Sequence, residues 1–213
     1  MKPKSLLSLL MVVAATFQVA ATDLFRVQDF TIQPGDTALV EIVLENEAEY
    51  TAFQTDLYFP EGLTLDRQSV TLTGRKAPDH MIIANDLVDG GVRLMSYSMG
   101  VNAYSGNSGA LVTFKVIADE SLTIPAVIVQ KRTRFTLAAS GSEISFDGST
   151  CVVSCQGDVN TDGRRTISDV TTLINYLLTS DGSLISTSIA DVNGDNRVSI
   201  ADVTTLINLL LQG

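Results

Sequence analysis

The hydrophobic pattern changes period close to residue 155. From residue 23 to about 153 the repeat is two. TALVEIVLE (37–45), TAFQTDLYF (51–59), VRLMSYSM (92–99) and LVTFKVIA (111–118) alternate apolar and polar residues or are rich in branched and aromatic ones. Each predicts a strand. In the second, Phe53, Leu57 and Phe59 share one face while Gln54, Asp56 and Tyr58 share the other. The breaks QPGD, PEG, VDGG, SGNSG, AASGS and FDGS have turn chemistry. Many short strands with a turn every ten residues or so predict an all-β sandwich of the jelly-roll type.

After residue 156 the repeat is 3.6. In DVTTLINYLL (169–178), Val170, Leu173, Ile174, Leu177 and Leu178 fall at i, i+3, i+4, i+7 and i+8, one stripe of a helix. DVTTLINLLL (202–211) repeats it. Residues 158–178 and 191–211 are identical at 15 of 21 positions, an internal duplication. Each repeat is a loop followed by a helix, and TSDGSLISTSIA (179–190) joins them. The expected fold class is therefore multi-domain: an N-terminal all-β jelly-roll sandwich over 22–153, then a small all-α module of duplicated loop–helix units over 154–213.

The first 21 residues belong to neither. Lys2 and Lys4 precede an apolar run from Leu6 to Val19, and Val19-Ala20-Ala21 suits a small-residue cleavage site. This predicts a secretory signal peptide over 1–21 and an exported protein. The run is short for a membrane span and is broken by Ser8, Thr16 and Gln18. Without Lys2 and Lys4, twelve basic residues face 24 acidic ones, a net charge of −12. Such a chain repels nucleic acid and anionic membrane and suits calcium. Cys151 and Cys155 are the two cysteines. On a straight strand their Cα atoms would stand about 13 Å apart, so a disulfide needs a tight turn. Free thiols and intermolecular pairing are the alternatives. With one histidine, His80, a zinc site is not expected.

The acids of the repeats carry the chemistry. Numbered from Asp158, the first loop places Asp158, Asn160 and Asp162 at positions 1, 3 and 5, and Gly163 at 6. Arg164 is at 7, Thr166 at 9 and Asp169 at 12. This is the spacing of a twelve-residue calcium loop. Alternating residues of a curled loop aim side-chain oxygens at one point. Position 7 acts through its backbone carbonyl, position 9 through a water, and the last acid gives two oxygens from the helix N-terminus, which favours negative charge. The second loop repeats the set as Asp191, Asn193, Asp195, Arg197, Ser199 and Asp202, with Asn196 at position 6. Asparagine tolerates the left-handed turn best among residues other than glycine. Three carboxylates in each loop repel one another, so cation binding is expected to drive folding.

EF-hands have a helix before the loop, and CVVSCQG leaves no room for one. A duplicated loop–helix with Asp at position 12 resembles the type I dockerin over 157–213. The resemblance implies two calcium ions, a pseudo-twofold helix pair and docking onto a cohesin, as in cellulosome-type assemblies. It places partner contacts at Ile167, Ser168, Ile174 and Asn175, and at Ile200, Ala201, Ile207 and Asn208. Ile174 and Ile207 also fit the edge of the helix core, and both readings stand.

The sandwich has its own resemblance. VQDFTIQPGDTALVEIVLENEAEYTAFQTDLYFPEGLTL and SGNSGALVTFKVIAD (105–119) look like segments of a cohesin domain. This implies a flat sheet face that binds a dockerin. A jelly-roll carbohydrate-binding module would give much of the same pattern. Sugar faces stack on flat rings, Trp above all. The chain has no Trp and offers Tyr50, Tyr58, Tyr97 and Tyr104. Glu41, Asp56, Glu61 and Asp86 are the acids available for hydrolysis, and surface acids of this kind are ordinarily solvated. His80 has no Ser or Cys motif to partner. No catalysis is expected. The expected function is a secreted noncatalytic adaptor whose sandwich binds a protein partner and whose dockerin docks onto a cohesin, with a glycan-binding module carried on a dockerin as the alternative; head-to-tail self-association is a further expected possibility.

Overall fold

The computed structural model describes residues 23–181 and 185–212, so the expected signal peptide lies outside the described residues. The strands are Leu24–Val27 (β1), Phe30–Thr31 (β2), Thr37–Glu45 (β3), Tyr50–Tyr58 (β4), Leu63–Leu72 (β5) and His80–Asp86 (β6). Val92–Ser98 (β7), Ala110–Ala118 (β8), Ala126–Leu137 (β9), Glu143–Ser145 (β10) and Ser149–Ser154 (β11) complete them. Helices Ile167–Thr179 (α1), Thr187–Ala190 (α2) and Ile200–Gln212 (α3) follow.

One sheet has the order β1-β3-β8-β5. The other runs β2-β11-β9-β4-β7-β6, with β10 on β9. Pairing is antiparallel except for β2 against β11. The alternation read from the sequence turns one face of each sheet inward. Phe53 and Leu57 of β4 are buried there with Phe114 of β8, Ile128 and Phe135 of β9, and Ile42 and Leu44 of β3. Aromatic rings fill one end of this core, with Phe25 edge-on to Phe135 at 4.9 Å. Burying each such ring stabilises the fold by roughly 2–3 kcal/mol. Gln130, also buried, joins four strands. Its carbonyl accepts from the Val27 N–H and the Ser149 hydroxyl, and its amide donates to Thr55 and Thr133.

β11 runs through Ser154, and Cys155 is buried in the sandwich core, two residues past the expected division at 153/154. Cys151 and Cys155 are free thiols. The strand between them is extended, which keeps them too far apart to bridge. Burial pushes Cys151 up to about 12 and Cys155 up to about 11. His80 is buried as well. Its Nδ1 accepts from the Ala77 N–H at 2.9 Å, and its ring stacks on Tyr104 at 4.2 Å.

The helical module has a separate core. Val159, Val170 and Leu173 from the first repeat meet Val203 and Leu206 from the second and Ala190 of the joining segment. Two helices of 13 residues share one seam, so the core is narrower than the stripe read from the sequence. Ile174 and Leu178 stand outside it, exposed, as do Ile207 and Leu211. The joining segment contains α2, a single turn that the periodicity did not signal.

Candidate functional site

Each loop is held in shape by its own acids. In the first, Asp158 Oδ1 accepts from the Asp162 N–H at 3.0 Å and Oδ2 from the Gly163 N–H at 2.8 Å. Asp162 Oδ1 accepts from the Arg164 N–H at 3.0 Å. Asp169 reaches back along the chain. Its Oδ1 accepts from the Asn160 N–H at 3.0 Å and its Oδ2 from the Thr166 N–H at 2.7 Å. Thr166 caps α1 in return by accepting from the Ser168 N–H. This reciprocal box satisfies donors that a helix start leaves free.

The second loop repeats the pattern bond for bond. Asp191 accepts from the Asp195 and Asn196 N–H groups, Asp195 from that of Arg197, and Asp202 from those of Asn193 and Ser199. Gly163 and Asn196, both at position 6, have φ of 90° and 65°.

The twelve expected ligand residues thus lie in two matching curled loops. The donors on offer are carboxylates, the Asn160 and Asn193 amide oxygens, the hydroxyls of Thr166 and Ser199, and the backbone carbonyls of Arg164 and Arg197. These are hard oxygens, the kind calcium takes. Among the described residues, no three His, Cys, Asp or Glu side chains converge closely enough to hold a metal by themselves. Asp158 Oδ1 and Oδ2 each accept one N–H and keep a second lone pair, whereas Asp169 Oδ2 and Asp202 Oδ2 also accept from the Thr166 and Ser199 hydroxyls. Burial pushes the Asp158 carboxyl up, as do Asp169 and Asp162 nearby, against the backbone N–H bonds from Gly163 and Asp162 that pull it down. The net shift is upward, as expected of an acid short of positive charge.

The eight expected partner residues are all exposed: Ile167, Ser168, Ile174 and Asn175 on the first repeat, Ile200, Ala201, Ile207 and Asn208 on the second. Ile167 and Ile200 are 71% and 70% exposed, and Ile174 and Ile207 are 37% and 38%. Leu178 and Leu211, exposed at 79% and 80%, prolong each row. Sequence reasoning placed Leu178 and Leu211 in the core stripe; the narrow seam between two helices leaves them outside.

The sandwich has a second candidate surface, the outer face of β6, β7, β4 and β9. Register brings Met81 and Ile83 of β6 beside Tyr97 and Met95 of β7, an apolar half. The other half is charged. Asp56, expected among the solvated acids, is wholly buried instead. Arg93 grips it from β7, and Arg132 Nε reaches it from β9 at 2.5 Å. Burial raises the Asp56 carboxyl, but the bonds from Arg93 and Arg132 outweigh this and hold it below the usual carboxylate range. Arg132 also bonds Tyr58 and Asp89, and Lys131 lies 5.1 Å from the centre of the Tyr58 ring. The arginines come from strands 37 and 76 residues away in sequence, which the sequence reading missed.

The tyrosines do not form a row. Tyr50 and Tyr104 are buried, and Tyr58 and Tyr97 are half-buried on opposite halves of the face. The other three acids noted in the sequence, Glu41, Glu61 and Asp86, are exposed.

Comparison with known proteins agrees with both modules. Residues 156–211 match the family model of the dockerin type I domain. Type I dockerins are calcium-binding modules. The sandwich is similar to the cohesin module of a Clostridium perfringens family 33 glycoside hydrolase (TM-score 0.50, 14% identity, 62% of this chain and 94% of that one). It is similar to the sixth cohesin of Acetivibrio cellulolyticus scaffoldin B, solved in complex with a dockerin (TM-score 0.51, 14% identity, 62% and 98%). It is also similar to a non-cellulosomal cohesin from Archaeoglobus fulgidus (TM-score 0.51, 14% identity, 65% and 95%). No curated protein sequence matches the chain. No described helix is long and apolar enough to cross a membrane. Residues 156–211 are a type I dockerin domain, and the sandwich that precedes them has the cohesin fold.

Proposed function

We propose that this chain is a secreted, noncatalytic adaptor of a cellulosome-like, polysaccharide-degrading assembly. Its dockerin holds two calcium ions and docks onto a cohesin of another protein, while its sandwich binds a protein partner. The carrying observation is the pair of exposed isoleucine rows, Ile167–Ile174 and Ile200–Ile207, each fixed to a curled acidic loop by the Asp169 or Asp202 carboxylate.

In the first loop, Asp158, Asn160, Asp162 and Asp169 give side-chain oxygens, Arg164 gives its carbonyl, and Thr166 acts through a water. Asp191, Asn193, Asp195, Arg197, Ser199 and Asp202 repeat these roles. Calcium supplies the positive charge that relieves the repulsion among the acids. The partner then meets Ile167, Ser168, Ile174 and Asn175, or Ile200, Ala201, Ile207 and Asn208. An apolar surface held out in water is stabilised by covering it.

For the sandwich, the outer face of β6, β7, β4 and β9 supports a protein partner over a glycan. It has an apolar half and a charged half, and its tyrosines are buried or separated. A dockerin on a second copy of this chain is one such partner and would give head-to-tail chains. The test is calorimetric titration of the full chain with calcium, then with candidate cohesins, and sedimentation across concentration. Two-site calcium uptake followed by calcium-dependent cohesin binding is the expected result. Tight binding of a soluble polysaccharide by the sandwich would replace the protein reading.

A further inference from the structure

The two repeats match in sequence and in loop geometry, but their surroundings differ. The first loop lies against the sandwich. The Arg164 guanidinium donates to the Glu120 carbonyl at 3.1 Å. The Gln33 side-chain amide faces the Arg165 guanidinium. A Cβ at Gly163 would stand 3.1 Å from the Ile124 carbonyl oxygen, so the backbone itself packs on the segment after β8. Asp158 is 3% exposed, and its N–H donates to the carbonyl of Cys155 in the sandwich core. In the second loop Asn196 and Arg197 are exposed, and a side chain at Gly194 would meet nothing within 4 Å.

This asymmetry accounts for a difference between the repeats. Both position 6 residues take the left-handed conformation. Asn196 has room for its side chain. Gly163 does not, because of the sandwich rather than because of the loop.

We infer that the first loop is also the joint that seats the dockerin on the sandwich, so that cation binding there and module seating are linked, whereas the second loop makes no such bond to the described residues of the sandwich. The inference rests on the calcium reading above. The linkage runs through shared residues. Gly163, which meets Ile124, donates its N–H to the proposed ligand Asp158. Arg164, which holds Glu120, donates its N–H to Asp162 and carries the carbonyl at position 7. Whatever fixes the loop fixes both, and by reciprocity seating strengthens cation binding at this site. The consequence is one defined arrangement of the two modules with calcium and many without it.

The test uses the full chain with calcium alone as the probe. Spin labels go on Thr64→Cys of the sandwich and Thr204→Cys of α3; both positions are exposed, and the native thiols are buried. The expected result is a narrow label–label distance with calcium and a broad one with chelator. Gly163→Asn should broaden it with calcium present, and Asn196→Gly should leave it narrow. In calorimetry Arg164→Ala should weaken one of the two sites by about threefold to tenfold, the range of one lost hydrogen bond. Arg197→Ala keeps the position 7 carbonyl and removes no bond to the sandwich among those described, so only the lost charge should act there, tightening its site. Losing a positive charge beside a cation site would strengthen binding, so the expected sign for Arg164→Ala opposes the charge effect. Equal behaviour of the paired variants, with two-site uptake intact, overturns the joint alone. No calcium uptake by the parent chain overturns the calcium reading and the joint with it.

Discussion

Arg93 meets Asp56 in a two-point grip, Nε to Oδ1 at 2.7 Å and Nη2 to Oδ2 at 2.8 Å, over a carboxylate with no exposed surface. Parallel bonds of this kind fix direction as well as distance. Asp56 thereby sets the charged half of the sandwich's outer face. Replacing it with Ala strands two guanidinium groups. Asp56→Ala is expected to cost the sandwich roughly 2–3 kcal/mol, less than a fully buried pair because Arg132 is half exposed. Urea unfolding of the parent and variant chains measures this.

The same residue gives a pH dependence. The Asp56 carboxyl is depressed in the folded state, so its contribution is present above the ordinary carboxylate value and is lost as pH falls through the folded one. Melting temperature followed from pH 6 downward should therefore drop below about pH 4. The drop should be smaller in Asp56→Asn, which has no charge to lose.

Cys151 and Cys155 are buried, and both thiols are pushed well above neutral pH. The thiolate is the reactive form. A thiol reagent at pH 8 should label neither cysteine in the folded chain and both in denaturant. Fast labelling of the native chain would contradict this burial.

Ile174 and Ile207 stand outside the seam filled by Val170, Leu173, Val203 and Leu206. Ile174→Asp with Ile207→Asp should spare helix content and calcium uptake while reducing cohesin affinity by 100-fold or more, on the order of 3 kcal/mol. Circular dichroism and calorimetry on the same sample separate the effects. Loss of helix would return both residues to the core.

Asp158→Ala with Asp191→Ala removes the position 1 acid from both loops. Each accepts two backbone N–H groups that shape its turn. Calcium-dependent gain of helix should disappear in this variant. Full helix content with chelator present would contradict calcium-driven folding.

The sequence was legible where a pattern repeats locally. TALVEIVLE matches β3 residue for residue, with Val40, Ile42 and Leu44 turned inward at every second position. Both main helices begin two residues before the periodic stretch. Their starts are set by the caps Thr166 and Ser199, whose partner acids Asp169 and Asp202 were read as calcium ligands. The duplicated loops were readable because each is twelve consecutive residues. Asp56 was not, since its environment depends on β4 lying between β7 and β9. The unequal surroundings of the two loops were likewise hidden. Gly163 against Asn196 was visible as a substitution, but its cause, Ile124, lies 39 residues earlier.

The most direct test of the adaptor account is capture by the full chain. Immobilised, it is exposed to the producing cell's secreted proteins in calcium and washed with chelator, beside the Ile174→Asp, Ile207→Asp variant. The expected result is a protein bearing a cohesin module, held by the parent chain in calcium, released by chelator and not held by the variant. Two-site calcium uptake and native helix content with no cohesin-bearing protein retained would contradict it.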